Sequence, residues 1–392
     1  MSDIKEKLLA EMELHIGEAV KLNDFLADNP EISGKEYNSS KVMADMLRSH
    51  NIDVEYPFCD IDTAYIGRIN ADKKRRVAIL AEYDALPEIG HGCGHCASGS
   101  ASFLAAIALN ELRDEIDYGI DIIGTPNEEV DGLKSLMADK GIFDNYEFAI
   151  MVHMGNCTTV DINFIALDGR YFQWTGAPAH AAAAPELGRN ALNAARLFMD
   201  AIDMMRQHVP QETRMHGIIS QGGVATNIVP DFAEVKFLAR APHNKDVIEL
   251  YKWIEDCAKA AAMMTKTELK ILPYGYPFAD LHITHSGKNI MQECMNELGI
   301  DYIEGDGFMK GSSDIGNVDI VCPAFHPVMS INKPYAIHTR EFANEMKTEN
   351  GHTALKNASR LILTFINKLF NDPEKLSEIK REHYEYRKGD KI

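Results

Sequence analysis

The order of apolar and polar positions predicts alternating helices and buried strands in the first part of the chain. Apolar residues recur at helical spacing over 3–28, and this helix ends before Pro30, because proline disfavours helical backbone in the residue before it. A second helix is predicted at about 36–50. The same patterns predict strands at 64–69, 77–81, 120–124 and 148–152, and helices at about 95–113 and 131–140. This alternation indicates an α/β domain with a mostly parallel sheet, whose sites lie beyond the carboxyl ends of the strands.

A different pattern begins after about residue 165 and ends near residue 280. It predicts strands at 160–174, 216–220 and 232–240 around amphipathic helices at 187–208 and 244–264. This order is typical of an α+β unit with a ferredoxin-like sheet. The α/β pattern then returns, with Ile320-Val321 as a strand, 350–370 as a helix, and 372–392 as a solvated helix with a frayed end. We therefore predict a first domain formed by 1–168 and 280–392, with a second domain, 169–279, inserted into it.

Composition narrows the classes of function. The net charge of −19 disfavours nucleic-acid binding, because such a surface repels phosphate backbones. The sequence has no apolar run of the length that a membrane span needs, and its charged N-terminus does not resemble a signal peptide. Seven cysteines, an odd number, argue against a disulfide framework. We expect a cytoplasmic protein that binds neither membrane nor nucleic acid.

The first candidate for chemistry is a glycine-rich segment, Gly90–Cys96, that follows Glu82–Pro87. Alternating glycines allow a tight backbone, so that Cys93 and His95 could converge on one ion, and both residue types suit zinc. Cys93 and Cys96 could instead form half of a structural zinc site or a redox pair. The chain has no second Cys-x-x-Cys, which weakens the structural-zinc interpretation.

Three further segments end predicted strands or lie late in the chain. Glu128 and Glu129 follow a buried strand, where one acid could bind metal while the other transfers protons. The alternative is a helix N-terminus, where the helix dipole favours acids. His153 follows an apolar strand, and His338 lies in the returning α/β segment; each alone is uninformative.

Together these segments resemble one family, the two-domain co-catalytic metallopeptidases related to aminoacylase and glutamate carboxypeptidase. The chain is most similar to the branch that includes p-aminobenzoyl-glutamate hydrolase subunits, hippurate-type hydrolases and β-alanyl-dipeptide hydrolases. The matching segments run in order through nearly the whole chain: Asn29–Glu31, Glu82–Pro87, Gly90–His95, Thr125–Glu129, His153, Gly176–His180, Gly188–Ala191, Asn227–Asp231 and His338. The resemblance implies a zinc-peptidase-like catalytic domain with an inserted lid and dimerisation domain.

The resemblance also implies roles for individual residues. The implied metal ligands are Cys93, His95, Glu129, His153 and His338. Cys93 would bridge two ions if two bind, Glu128 would be the general base and acid, and Asp84 would orient a ligand. One or two divalent ions are expected, zinc or manganese, with cobalt as a further candidate.

The inserted domain would supply contacts to the substrate. His180 matches a histidine that stabilises the oxyanion from the partner subunit in dimeric members of the family. Asn227 and Arg240 match positions near the substrate carboxylate, although Arg240 could equally form a surface salt bridge. Ser312 lies in a loop that resembles the family's loop near the site. A homodimer acting on a small-molecule amide is therefore expected.

The expected function is metal-dependent hydrolysis of the amide bond in small N-acyl amino acids or dipeptides. The alternative is a non-catalytic or regulatory subunit that keeps the fold and binds a small amide ligand. Its support is a departure from the family pattern, because Cys96 stands where relatives carry an acid or an amide. A thiol redox protein would account for Cys93 and Cys96 but for none of the other segments.

Overall fold

The computed structural model describes residues 2–304 and 311–390. Its helices are α1 (Ser2–Asp28), α2 (Tyr37–Ser49), α3 (His95–Glu111), α4 (Leu133–Asp139), α5 (Ala191–Met205), α6 (Asn244–Thr265), α7 (His285–Leu298), α8 (Ile315–Val321), α9 (Arg340–Glu345), α10 (Glu349–Phe370) and α11 (Pro373–Arg387). Its strands are β1 (Asp53–Glu55), β2 (Tyr65–Ile69), β3 (Arg76–Ala81), β4 (Gly119–Gly124), β5 (Phe148–Ile150), β6 (His153–Gly155), β7 (Ala166–Thr175), β8 (Arg214–Gln221), β9 (Phe232–Ala241), β10 (Glu268–Pro273), β11 (Ala324–Phe325) and β12 (Val328–Ser330). Contacts divide the chain into two compact units, one of Met1–Phe164 with Leu281–Ile392 and one of Ile165–Asp280.

The first unit is built on a six-stranded sheet in the order β1-β2-β4-β3-β5-β11. The pairings β3–β4, β3–β5 and β5–β11 are parallel, while β1–β2 and β2–β4 are antiparallel. The central strands are buried along their length, as in a sheet that helices cover on both faces. The strands β6 and β12 pair in parallel and form a separate two-stranded sheet. The predicted α/β class with a mostly parallel sheet is confirmed.

The helix α3 is buried from His95 to Asn110, since small residues in its first turns allow close packing. Its main helical neighbours in the first unit are α1 and α10. These helices share one large apolar core with β3 and β4. The fixed position of α3 matters for function, because its first residue is His95.

The second unit has the element order β7-α5-β8-β9-α6-β10 and an antiparallel sheet in the order β10-β7-β9-β8. This is the ferredoxin-like arrangement that the sequence predicts. Alternate residues of β7 and β9 are buried, and Phe172, Trp174 and Phe237 pack against Phe198 of α5. The core of this unit is thus built from one face of the sheet and the two helices.

Some local predictions were wrong. Ile320 and Val321 form the last turn of α8 instead of a strand, because a short apolar run does not distinguish the two structures. The strand predicted at 148–152 ends early, because β5 stops at Ile150 and the next strand, β6, begins at His153 in a different sheet. The tail helix α11 is not fully solvated, since it buries Leu376 and Ile379 and pairs the buried Arg387 with Asp319. The predicted frayed end at 391–392 lies outside the described residues.

Within the described ranges, no helix has the combination of length and apolar character needed to cross a bilayer.

Candidate metal centre

The site is assembled where two parallel neighbours, β3 and β4, end side by side. Ala81 and Gly124 are register partners, and the N–H of Thr125 donates to the carbonyl of Ala81 at 2.8 Å. The segments that follow, Glu82–Asp84 and Thr125–Glu129, therefore leave the same edge of the sheet. Asn127 has a left-handed backbone (φ 59°), and its N–H donates to the buried carboxylate of Glu36 at 2.9 Å. This contact fixes the turn that carries Glu128 and Glu129.

The glycine-rich segment brings Cys93 and His95 to the same edge. Gly94 precedes α3 with a left-handed backbone (φ 82°), and a β-carbon there would lie 2.7 Å from a side-chain atom of Met154. The conformation and the close contact together require glycine at this position. The carbonyl of Gly92 accepts a hydrogen bond from the N–H of His338 at 2.8 Å, which joins the distant His338 to this segment.

The five predicted ligands are brought together in the first unit. Donor atoms of Cys93, His95 and His153 lie within 4.8 Å of one another, and so do those of Cys93, Glu129 and His338. Cys93 Sγ lies 3.3 Å from His338 Nε2, which lies 3.6 Å from Glu129 Oε2. Cys93 belongs to both groups, so it is the donor that two neighbouring ions would share if two bind.

Asp84 holds two of these ligands in place. Its buried carboxylate lies 2.9 Å from His95 Nδ1 and accepts hydrogen bonds from the N–H of Glu129 at 3.0 Å and from Ser33 Oγ at 2.8 Å. The contact to Nδ1 directs His95 Nε2 toward the donor group. A carboxylate in this position is typical of metal sites, where it sets the tautomer and orientation of a ligating histidine. Similarly, His153 Nδ1 donates to the carbonyl of Met154 at 2.7 Å, which leaves Nε2 as the donor atom to a metal.

Buried acids outnumber buried bases around these ligands. Glu82 and Asp314 are both buried, and Lys134 Nζ lies 2.6 Å from a carboxylate oxygen of each. Although burial opposes its charge, Lys134 and His95 lower the pKa of Glu82 to about 2. Burial raises the pKa of Asp314 to about 6 against the attraction of Lys134. Buried charge is costly unless it is compensated, and one lysine does not balance these acids together with Asp84 and the Glu128–Glu129 pair.

The donor set fits divalent cations. Glu129 Oε1 is buried and makes no hydrogen bond within the described part of the chain, and the buried His95 Nε2 lies 3.2 Å from Glu82 Oε2. Burial raises the pKa of the Cys93 thiol, and burial lowers the pKa of His153 to about 3, so this imidazole is neutral and able to bind a metal. Cysteine, histidine and carboxylate donors of this kind suit zinc and related borderline metals.

Glu128 lies beside the ligands and belongs to neither metal group that contains Cys93. One of its oxygens lies within 4.8 Å of donor atoms of His95 and Glu129, and it also forms a close group with Glu82 and Asp314. Removal from water and the negative charges of Glu82 and Asp314 raise the pKa of Glu128 well above its usual value. A carboxylate with a raised pKa is suited to accept and return a proton near neutral pH.

A cavity of about 400 Å³ opens onto these residues within the first unit. Its wall includes Cys93, Glu128, Glu129, His153 and His338, and also the predicted loop residue Ser312. The remaining wall is largely apolar and includes Ile162, Phe164, Ile303, Val328 and Ile337. Such a cavity can hold a small ligand with an apolar group beside a polar reacting centre.

Two residues of the site were missed in the sequence analysis. His326 is buried in the cavity wall, its ring stacks on that of His153 with centroids 5.3 Å apart, and burial lowers its pKa to about 4. It directly follows β11, as the acids of the site follow β3 and β4, and this position was the available signal. Lys134 gave no such signal, because a lysine at a helix start is normally exposed.

The predicted substrate residues of the second unit fall into two places. His180 and Asn227 lie on adjacent segments, since the N–H of Ala181 donates to the carbonyl of Asn227 at 3.0 Å. The N–H groups of Ala182 and Ala183 donate to His180 Nδ1 at 3.3 and 3.2 Å, so the proton of the neutral ring is on Nε2. Arg240 lies at the other end of β9, eight residues from Phe232, or about 27 Å along the strand.

Cys96 and His352 lie apart from the donor groups. The side chain of Cys96 is buried in the core around α3, and burial raises its pKa to about 12. Both Cys93 and Cys96 are free thiols. His352 lies in the first turn of α10, with Nε2 2.8 Å from a carboxylate oxygen of Asp24.

Comparison with known proteins relates this geometry to one family. Residues 169–264 match the model of the M20 peptidase dimerisation domain. The chain is 31% identical to the Xaa-Arg dipeptidase of Mus musculus over 315 residues, which cover 78% of this chain and 73% of the relative. It is 27% identical to a p-aminobenzoyl-glutamate hydrolase subunit of Escherichia coli K12, over 92% of this chain and 90% of the relative.

Solved structures share the fold. A dinuclear metal binding peptidase of the M20 family from Bacillus subtilis superposes with a TM-score of 0.71 at 17% identity, covering 92% of this chain and 99% of the other. An aminobenzoyl-glutamate utilization protein from Klebsiella pneumoniae superposes with a TM-score of 0.70 at 15% identity, covering 90% and 96%. The chain therefore belongs to the M20 family of metal-dependent peptidases and amidohydrolases.

Proposed function

We propose that this chain hydrolyses the amide bond of small N-acyl amino acids or dipeptides at a centre of one or two divalent ions held by Cys93, His95, Glu129, His153 and His338. The observation that carries the proposal is Glu128, an acid with a raised pKa that lies beside the metal donors and opens onto the cavity. A dipeptidase and an aminobenzoyl-glutamate hydrolase subunit among the relatives support the same class of reaction.

The chemistry divides between the ions and the chain. A bound divalent ion would polarise the amide carbonyl and lower the pKa of the attacking water. Glu128 would take the proton from that water and return it to the leaving amine, and its raised pKa favours both transfers. Asp84 would keep His95 and Glu129 in position throughout. Zinc is the metal favoured by the Cys93, His95 and His153 group, and manganese or cobalt are the other candidates.

A non-catalytic subunit is not favoured. Its one support was the unusual Cys96, and the side chain of Cys96 packs in the core rather than among the metal donors. A scaffold that only bound an amide would have no use for Glu128, whose burial beside Glu82 and Asp314 is energetically costly.

We also propose that the working unit is a homodimer. The second unit carries a dimerisation domain, and His180 Nε2–H is a donor suited to a developing oxyanion. A small substrate cannot reach both the His180–Asn227 segments and Arg240 of one chain, because about 27 Å of strand separates them. If both contact substrate, they belong to the sites of different subunits, and the family resemblance implies that His180 acts in the site of the partner. The role of Arg240 in binding a carboxylate stays a prediction.

The remaining expectations concern location and partners. Cys93, Cys96, Cys294 and Cys322 are buried thiols, which suits a reducing compartment such as the cytoplasm. The net charge of −19 disfavours nucleic acid as a partner.

The proposed reaction is tested by a hydrolysis screen with zinc and manganese in parallel, using dipeptides, N-acetyl and aromatic-acyl amino acids, and aminobenzoyl-glutamate. We expect cleavage of at least one amide, and we expect a chelator to abolish it. Glu128→Gln should keep the metal content and lower kcat by about 10²- to 10⁴-fold, because it removes the proton acceptor. A Glu128→Gln variant with full activity would contradict the assignment of the base.

Asp84 should control metal affinity. Asp84→Asn loses the charged contact to His95 and weakens the hold on Glu129, so we expect metal affinity to fall about 10- to 100-fold. Competition with a calibrated chelator measures this change. Ser33→Ala is the matched control, since it removes one hydrogen bond to Asp84 and leaves both ligand contacts; its metal affinity should stay close to that of the wild type. Equal affinities for Asp84→Asn and the wild type would refute the orienting role.

The shared site is tested by mixing two inactive variants, His180→Ala and Glu128→Gln, under conditions where subunits exchange. If His180 acts in the partner's site, each mixed dimer restores one site of two. Half of the dimers are mixed at equal concentrations, so about a quarter of wild-type activity should return. No recovery, with exchange verified by mass spectrometry, would show that His180 does not act across subunits.

A further inference from the structure

A second group of metal-binding side chains lies on the helices α1, α2 and α3, apart from the Cys93 centre. His15 and Glu18 lie three residues apart on α1, and His50 is the residue that ends α2. Glu18 Oε2 lies 2.9 Å from His50 Nε2 and 3.9 Å from His15 Nδ1. One donor atom from each residue lies within 4.8 Å of the other two, and all three side chains are partly buried.

We propose that His15, Glu18 and His50 bind one zinc-type divalent cation, in a site that stabilises the packing of α1, α2 and α3. Two imidazoles and a carboxylate are a donor set found in zinc sites, where three protein ligands leave one position for water. Donor atoms around a tetrahedral zinc ion are separated by roughly 3.4 Å, given metal–ligand bonds of about 2.1 Å. The separations seen here bracket that value, so small side-chain rotations would complete the site.

Glu111 supports the same site from α3. Its Oε1 lies 3.9 Å from His50 Nδ1, on the opposite side of the ring from Glu18. If Nε2 binds the cation, Nδ1 carries a proton that faces Glu111. A carboxylate behind a ligating histidine fixes the tautomer and makes the ring a stronger ligand. At the Cys93 centre, Asp84 lies closer to its histidine, 2.9 Å from His95 Nδ1, whereas Glu111 at 3.9 Å would have to approach His50 to form a hydrogen bond.

The electrostatic surroundings favour a cation. In the described part of the chain, the ion pairs of Glu18 and Glu111 are all with histidine, so neither carboxylate is neutralised by lysine or arginine. The site also lies at the ends of two helices, because His50 follows α2 and Glu111 is the last residue of α3. Carbonyl groups at helix C-termini carry partial negative charge, which attracts cations.

The donors are held by rigid elements. The helices α1 and α3 pack along the main core of the first unit. Asn110 Nδ2 donates to the carbonyl of His50 at 2.9 Å, which anchors the end of α2 to α3. The ring of His50 also contacts the edges of His15 and Phe103, with centroids 5.2 and 6.2 Å apart. Little conformational entropy would be lost on binding, since these contacts exist before the cation arrives.

The length of α3 separates the His15–Glu18–His50 site from the Cys93 centre. The helix begins at His95 in the Cys93 centre and ends at Glu111, a distance of about 24 Å along its axis. A cation held by His15, Glu18 and His50 cannot contact a substrate in the cavity. We therefore expect it to change stability and leave turnover unaltered.

The experiment compares zinc content and thermal unfolding of the full chain after dialysis against micromolar zinc. His15→Ala/His50→Ala should hold one zinc ion fewer per chain than the wild type, with unchanged kcat, and should lose the part of the zinc-dependent rise in Tm that this site contributes. His352→Ala is the matched control. Its imidazole also pairs with a carboxylate of α1, Asp24, but it belongs to none of the three-donor groups found in the described residues. Its zinc content should equal that of the wild type.

Glu18→Gln serves as a second variant that keeps both histidines and the helix. It should bind the additional zinc ion at least tenfold more weakly in a chelator competition. Equal zinc content in the wild type and His15→Ala/His50→Ala would overturn the proposal and leave the group as a hydrogen-bonded ion pair. If the double variant does not fold, an unchanged zinc affinity in Glu18→Gln would overturn it equally.

Discussion

The carboxylate of Asp84 is the contact on which the catalytic centre depends. It lies behind β3, accepts hydrogen bonds from the segment that carries Glu129, and fixes the ring of His95 at the start of α3. His95 and Glu129 are 34 residues apart in the sequence, and the Asp84 carboxylate thereby holds both beside it. Without this anchor, the ring of His95 and the backbone of Glu129 would lose the one side chain that contacts both of them.

This anchor adds to a concentration of buried negative charge. Glu82, Asp314 and Asp84 are all buried, and Lys134 is the one lysine that pairs with Glu82 and Asp314 in the described contacts. Burying uncompensated carboxylates costs several kcal/mol each. Divalent cations at the two Cys93 groups would offset that cost. Burial, together with the negative charge of Glu82 and Asp314, raises the pKa of Glu128, so one arrangement both favours the metal and prepares the base.

Much of the fold and the ligand set could be predicted because they depend on local patterns. Parallel strands bring their carboxyl ends together, and Glu129 and His153 lie a few residues beyond the ends of β4 and β5. The order of the family motifs along the chain also identified His338 as a ligand. Its position beside Cys93 depends on a contact between segments that are distant in the sequence. Lys134 and His326 were missed because their importance arises from burial beside other charged groups, which no local pattern shows.

Other misses have similarly physical causes. Ile320 and Val321 are apolar in either structure, so the sequence pattern alone does not show that they form the last turn of α8. Cys96 stands out in the sequence because it follows His95, but successive helical residues point in different directions, and its side chain enters the core. The separation of Arg240 from His180 and Asn227 required the strand register of the second unit.

The central proposal is that Cys93 is a ligand of this metal centre and is shared by two ions when two bind. Anomalous scattering from crystals of the zinc-loaded protein, recorded on both sides of the zinc absorption edge, tests it most directly. The account predicts a peak within bonding distance of Cys93, His95 and His153, and a second, under full loading, beside Cys93, Glu129 and His338. Zinc peaks in such crystals with none within bonding distance of the Cys93 sulfur would contradict it.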